Sequence, residues 1–481
     1  MITAKSLVKG SLIIVISNIV LKAMSFLLLP LYTIYLTPND YGIVDIANTF
    51  ISLFVGLSCL CLDTGFYTFF YDKESKTYEK KVFNSTFWIL VGTSLIPIFI
   101  ILFSKQLAGI LFKDSNKNKV IILSLFTISS SILTVIPNAR IRIVNKMKIF
   151  AIINVGTSLI SIILNILFIV KFRLGYYSLI ITILINNLIQ MISYFYIVRD
   201  EISIKYFDRK LIKHILKYTI PLIPATVSSW VIDLSDRYII NHFFSSSEVG
   251  IYAIANKIVI ILTVFSSAFM TSYPSFVFSN AKQKDAKDKF GKILNYYFLI
   301  FCILSIIITV FSKEIVMLMS QRTYWMSYKM VGFLTFGNFA FGMAFLVGSG
   351  MSIAKKSTYS MMISWISAIV NIILNMILIP KYGAVIAAIT TMISYLIVFV
   401  LNYYFSQKFY HCNYNIITIL IMYFVIFILC SLTMTKALVI KLPMATMIIL
   451  FLCLIFKNES NNIIKFIRNT MKNFLGVENN E

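Results

Sequence analysis

The chain has 481 residues, of which 59% are apolar and 13% charged, with mean hydropathy +0.86. Soluble domains carry about a quarter of their residues charged, so this balance excludes a water-soluble globule and sets the fold class as an all-α polytopic membrane protein. The net charge of +24 would point to nucleic acid in a soluble chain; here the Lys and Arg lie in short loops between apolar runs, which argues against a nucleic-acid partner and for membrane lipids and an anionic leaflet.

Runs that reach the roughly 20 apolar residues needed to cross hydrocarbon as helix recur fourteen times along the chain. They lie near 10–36, 42–70, 83–104, 119–138, 149–171, 175–198, 218–243, 249–279, 293–312, 327–353, 358–380, 383–406, 414–434 and 437–456. The first follows Lys5 and Lys9 and is too long for a signal-peptide core, so it reads as a transmembrane helix. The connections, none longer than roughly twenty residues, are too short to build a core of their own. An even number of spans puts both termini on one side of the membrane. Segments on that side hold 28 of the 43 Lys and Arg, and the opposite loops hold 12. The positive-inside rule then predicts cytoplasmic termini, with the loop of Lys105, Lys113, Lys117 and Lys119 as the dissenter.

The six cysteines form no Cys-x-x-Cys pair and the three histidines show no ligand spacing, so the sequence predicts no metal and no cofactor. No Gly-x4-Gly-Lys-Ser/Thr loop is present, and no loop is large enough to hold a catalytic domain. The expectation is a protein that is not an enzyme.

The chain repeats itself. Asp40-Tyr41-Gly42-Ile43-Val44-Asp45-Ile46-Ala47-Asn48 aligns with Glu248-Val249-Gly250-Ile251-Tyr252-Ala253-Ile254-Ala255-Asn256 at an offset of 208 residues, and Leu7-Val8-Lys9 aligns with Ile215-Leu216-Lys217 at the same offset. Ser158, Ser161 and Asn165 match Ser364, Ser367 and Asn371, with a two-residue slip before Gly175 and Gly383. Both copies begin on the same side with six spans, a parallel repeat of the kind transporters use around a substrate path. The predicted organisation is a six-helix lobe over 1–205, a second over 206–410, two further helices over 411–456, and a basic cytoplasmic tail over 457–481.

This six-plus-six-plus-two plan resembles the multidrug/oligosaccharidyl-lipid/polysaccharide transporter superfamily. The run Asp236-Arg237-Tyr238-Ile239-Ile240, followed by Glu248-Val249-Gly250-Ile251-Tyr252 and Ala255-Asn256-Lys257-Ile258, is similar to the seventh-to-eighth helix signature of its polysaccharide-repeat flippases. Leu374-Asn375-Met376-Ile377-Leu378-Ile379-Pro380-Lys381-Tyr382-Gly383, running on to Ala387-Ala388-Ile389-Thr390, is similar to their eleventh-to-twelfth helix signature, with Ile386 where that family usually has glycine. The first helix, with Leu29-Pro30 before Asp40-Tyr41-Gly42, is similar too. The resemblance implies a flippase in the cytoplasmic (inner) membrane. Its substrate would be a polyprenyl-pyrophosphate-linked oligosaccharide, moved by alternating access for O-antigen, lipopolysaccharide or capsule synthesis. A polysaccharide polymerase and glycosyltransferases would be its working partners. The rival within the fold is a cation-coupled multidrug exporter; a membrane polymerase or glycosyltransferase is the rival outside it.

Charges inside spans mark function, because an unpaired charge at the bilayer centre costs about 2.5–3.5 kcal/mol even on the lenient insertion scale. Lys22 lies deep in the first span, flanked on its own face by Asn18 and Ser25. Asp233, Asp236 and Arg237 share one face of the seventh span at i, i+3 and i+4, either as a self-satisfied Asp233–Arg237 pair or as a polar stripe offering Arg237 to a phosphate or sugar. Lys257 lines the path or snorkels to the interface. Asp63 lines the path or caps a helix end. Asn48 and Asn256 occupy equivalent repeat positions and suit hydrogen bonds between helices or to sugar hydroxyls. Asp45 reads as a solvated residue near the outer interface. Arg140 and Arg142 form an inner-side basic cluster that orients the chain or meets the lipid pyrophosphate.

Overall fold

The computed structural model describes residues 22–144 and 146–474, and among them every regular element is a helix. Among the described residues, thirteen helical segments are long and apolar enough to cross a membrane. The first sequence-predicted span, near 10–36, lies partly outside the described residues. Most of the remaining thirteen lie close to the predicted ones; Lys76–Phe112, Arg209–Phe243 and Ala286–Val310 start seven to nine residues earlier than predicted, the first of them also running on past 104, and Pro38–Ser58 stops twelve residues short of the predicted end at 70.

The helices divide into two compact units. The first comprises the chain through Lys257 together with 319–324 and 368–387. Here a short helix α1 (Leu29–Tyr35) leads to α2 (Pro38–Ser58), and α3 (Leu62–Phe69) to α4 (Lys76–Ser94). Then come α5 (Asn118–Ile143), α6 (Met147–Ile166), α7 (Tyr177–Val198), α8 (Arg209–Thr219), α9 (Ile223–Phe243) and the start of α10 (Ser246–Asn280). The second unit contains the rest of α10 and α11 (Ala286–Val310), α12 (Tyr328–Val347), α13 (Ser357–Tyr382) as far as Ser367, and α14 (Val385–Phe409) beyond Ala387. Helices α15 (Ile416–Thr433), α16 (Leu438–Ile455) and α17 (Lys457–Phe474) complete it. Its interior is aromatic: Tyr423 sits among Phe336, Phe339 and Phe424 and donates to the Phe336 carbonyl at 2.8 Å. Fully buried Lys441, near the start of α16, is held by both carboxylate oxygens of Glu314 at 2.8 Å.

The 208-residue repeat is visible in the chemistry of the first unit. Helix α2 starts with a capping box in which Thr37 and Asp40 satisfy each other's main-chain N–H groups. At the equivalent positions Ser245 Oγ accepts from the Glu248 N–H at 3.5 Å. Gly175 and Gly383, also 208 apart, both turn the chain with positive φ, +58° and +83°, a conformation glycine adopts without steric cost.

The two capped helices touch backbone to backbone. A Cβ on Gly42 would lie 1.7 Å from the Ser246 carbonyl oxygen, and one on Gly250 would lie 1.9 Å from the Pro38 carbonyl oxygen. The pairs Gly42/Gly250 and Pro38/Ser246 are each separated by 208 residues, so the crossing is reciprocal about a local two-fold. Small residues permit this approach in membrane helices, where packing rather than hydrophobic exclusion drives association.

The predicted span 42–70 is broken. Leu60 and Cys61 both take left-handed backbone, φ 51°, so α2 ends at Ser58 and α3 begins at Leu62. Non-glycine residues hold that conformation at a cost that the surrounding packing must offset. The break places Asp63 in the first turn of α3, where a carboxylate favours the exposed N–H groups. Outside the spans, Asp208 accepts from the main-chain N–H groups of Lys210 and Leu211 and pairs with Lys81 at 3.0 Å. The Leu211 N–H and the Lys81 ammonium hold its carboxyl below the usual range.

Gly42→Ala and Gly250→Ala should therefore be equivalent. Each should force the crossing apart, costing about 1–3 kcal/mol and lowering the midpoint of thermal unfolding in detergent. Wild-type midpoints for both variants would contradict the reciprocal contact.

Candidate functional site

The polar groups nearest this crossing come from α2, α9, α10 and the helical residues 22–27. Arg237, on α9, is almost wholly buried. Its Nη1 donates to Asp236 at 2.6 Å and to the main-chain oxygen of Asp233, and its Nε donates to Asp45 on α2 at 3.2 Å. The second oxygen of Asp236 accepts the phenol proton of Tyr252 on α10, whose ring lies 5.2 Å from the guanidinium carbon. One guanidinium and two carboxylates thus tie three helices together beside the Gly42–Gly250 contact.

This geometry differs from the sequence expectation at two residues. Arg237 takes its carboxylate partners from Asp236 and Asp45, and its contact with Asp233 is to the backbone. In this conformation Arg237 is engaged by the protein and does not present a free guanidinium to a substrate. Asp45 is not a solvated interfacial acid; it is a partly buried member of the knot. The physical reason is common to both: a buried charge recruits whichever counter-charges the packed helices bring, at several kcal/mol if none arrives, whereas the i, i+4 rule concerns exposed single helices.

The lysines behave differently. Lys257, five residues beyond Tyr252, donates to Ser25 Oγ at 3.2 Å. Ser25 lies one turn from half-buried Lys22 on the same helical segment. Neither lysine makes an ion pair with a carboxylate among the described residues, and Lys257 is held there by the hydroxyl of Ser25, one helical turn from Lys22 in sequence. Of their predicted neighbours, Asn18 lies outside the described residues. Asn256 donates back to the Tyr252 carbonyl at 3.2 Å, and Asn48 is half-buried on α2. Trp230, the repeat equivalent of Lys22, donates to Ser52 at 3.1 Å.

The basic cluster at the end of α5 also separates into unlike members. Arg140 donates to Glu201 at 2.7 Å, pairs with Glu79 at 3.6 Å, and lies over the Phe70 ring. Arg142 has no carboxylate among the described residues and stands between the rings of Tyr67 and Phe150, 5.5 and 5.7 Å from their centres. In the dissenting loop, Lys113 donates to the His242 carbonyl at 2.7 Å and so satisfies the C-terminal end of α9, and Lys117 approaches Asp114. Local capping accounts for part of that loop's charge.

Sequence reasoning missed Asp45 and Tyr252 as partners. Both lie in the repeated block, which was the available signal.

Comparison with known proteins follows from this geometry. The family described as "Polysaccharide biosynthesis protein" matches residues 35–328. An uncharacterized membrane protein of Methanocaldococcus jannaschii is 26% identical over 243 residues, 47% of this chain, and the chain spans about half (47%) of that relative's length. An uncharacterized membrane protein of Haemophilus influenzae is 27% identical over 291 residues, covering 59% of this chain and 68% of the relative. Among solved structures, the lipid II flippase MurJ in an inward closed conformation superimposes with a TM-score of 0.71 at 18% identity, covering 94% of this chain and 99% of its own. An inward-facing multidrug resistance MATE family transporter of the MOP superfamily gives 0.67 at 12% identity, covering 81% and 94%. These structural likenesses establish a fold shared with flippases and transporters.

Arg237→Gln should strand two carboxylates and cost about 3–5 kcal/mol, seen as loss of folded protein from the membrane. Adding Asp236→Asn to it should restore part of that loss. Full abundance of the single variant would show that the knot is not structural.

Proposed function

This chain belongs to the polysaccharide biosynthesis protein family, and on that premise we propose that it is a flippase for polyprenyl-pyrophosphate-linked oligosaccharide repeat units. It would act in the cytoplasmic membrane by alternating access between two parallel six-helix lobes, with both termini cytoplasmic. The surface polymer it serves would be an O-antigen, lipopolysaccharide or capsule, built by a polymerase and glycosyltransferases that act before and after it.

The observation that carries this reading is that Lys257 and Lys22, two lysines within membrane-spanning helix, have no carboxylate partner among the described residues, Lys257 donating instead to Ser25, one turn from Lys22. A pyrophosphate cannot enter hydrocarbon unaided, and cations unmatched by contacting carboxylates are what would neutralise it. The polyprenyl tail stays in lipid while the head group passes. Neighbouring Asn48 and Asn256 suit sugar hydroxyls, and Asp63 and Asp233 complete a mixed-charge path. Arg237 serves this path indirectly. With Asp45, Asp236 and Tyr252 it fastens the reciprocal crossing on the side assigned to the exterior, and opening toward that side requires the crossing to part.

A multidrug exporter of the same fold is the second reading, favoured by the MATE likeness. It needs carboxylates free to exchange cations, and two of the membrane carboxylates here, Asp45 and Asp236, are engaged by Arg237.

Leaflet-resolved detection of the lipid-linked repeat unit separates these readings. Cells lacking the chain should accumulate it on the cytoplasmic leaflet and lose the surface polymer, and Lys22→Gln or Lys257→Gln at normal abundance should do the same. Unchanged surface polymer with new sensitivity to cationic drugs would overturn the flippase reading in favour of the exporter.

A further inference from the structure

Arg142 and Arg140 are two residues apart at the end of α5 and each keeps one buried guanidinium nitrogen without a hydrogen bond, Nε and Nη1 respectively, yet only Arg140 has carboxylate partners. Arg140 faces two carboxylates, from Glu79 and Glu201. Arg142 faces two aromatic rings and no acid among the described residues. Its Nε is buried without a hydrogen-bond acceptor, and the phenol oxygen of Tyr67 beside it is likewise buried and unpartnered. Asp63, one turn before Tyr67 on α3, is not within ion-pair reach of Arg142.

A cation lying over aromatic rings gains some stabilisation from them. That does not supply the acceptors its N–H groups lack, and a buried hydrogen bond left unmade is costly. No amide accepts from the Arg142 Nε: Asn138 and Asn154 give their Nδ2 groups to Tyr194, at 3.2 and 3.0 Å, and the Asn138 side-chain oxygen is itself buried without a partner. A group able to satisfy both the guanidinium and the phenol must present several acceptor oxygens and negative charge. Phosphate does so, and guanidinium geometry matches it in a bidentate manner.

We propose that Arg142 and Tyr67 form a phosphate-binding subsite, with Phe150 as its apolar wall, which takes the pyrophosphate of the lipid-linked substrate before Lys22 and Lys257 do. This rests on the flippase reading above, and it divides the basic cluster by role. Arg140 is an internal staple between α4, α5 and the turn at Glu201; Arg142 is the ligand-facing member. The subsite lies at the end of α5 that the charge asymmetry assigns to the cytoplasm, where a substrate made on that side arrives first.

The test is binding of geranylgeranyl pyrophosphate to the purified full-length chain in detergent, beside inorganic pyrophosphate, geranylgeraniol and phosphatidylglycerol. Arg142→Gln should weaken geranylgeranyl pyrophosphate about tenfold or more, the equivalent of one charge-assisted contact. Tyr67→Phe should weaken it several-fold, Arg142→Lys should recover part of the loss, and geranylgeraniol should not compete. Thermal unfolding identifies variants that fail to fold; if Arg142→Gln is one, wild-type affinity in both Arg142→Lys and Tyr67→Phe overturns the subsite. Wild-type affinity in folded Arg142→Gln overturns it too, while leaving the flippase reading standing. Arg142-dependent binding of phosphatidylglycerol as tight as that of the pyrophosphate also overturns it, by making the site one for bulk lipid. Failure of the wild-type chain to bind any pyrophosphate lipid would remove the flippase reading and the subsite together.

Discussion

Two glycines 208 residues apart allow α2 and α10 to meet with no side chain between them, and much else in the first unit is arranged around that contact. A Cβ at either position would sit under 2 Å from a carbonyl oxygen of the opposite helix. Backbone contact this close brings Asp45 of α2 within reach of Arg237 and sets Tyr252 of α10 against Asp236. The crossing is therefore both steric and electrostatic. Sterics fix where the helices meet, and a buried guanidinium with two carboxylates raises the cost of separating them.

Charge inside the unit is sorted by whether the protein answers it. Arg237 and Arg140 are each met by two acids, whereas Lys257 is met by a hydroxyl and Arg142 by rings, and Lys22 has no ion pair with a carboxylate among the described residues. Structural pairs of the first kind restrain helices. Cations of the second kind carry a standing cost in a membrane that an anion brought to them would relieve. Proximity in sequence does not predict the sorting, since Arg140 and Arg142 are neighbours with opposite circumstances.

The spans were legible because a bilayer imposes one length and one polarity on every crossing, so apolar runs with charged ends locate the helices directly. The repeat was legible as well, down to the aligned Gly42 and Gly250, although nothing in one sequence says that aligned residues touch. The break between α2 and α3 left no mark: Leu60 and Cys61 are neither glycine nor proline, and their left-handed backbone is held by packing rather than by local preference. At Arg237 the helical spacing rule favoured the Asp233 carboxylate, while tertiary structure supplied Asp45 and Tyr252 from other helices. Asp45, read in isolation near a helix start, resembles any solvated acid. Site residues that draw their partners from distant sequence are the part that a single chain conceals.

The central claim is that the path carries an anionic head group on cations the protein leaves unpaired. Reconstituted transport tests it most directly. Liposomes containing the purified chain would be loaded with a fluorescent short-chain polyprenyl-pyrophosphate sugar, and loss of signal to a membrane-impermeant quencher would report movement between leaflets. The account expects protein-dependent exchange of the pyrophosphate lipid, abolished by combined Lys22→Gln and Lys257→Gln, and none for the same lipid with a neutral head group. Equal exchange of the neutral lipid, or wild-type exchange by the double variant, would contradict it.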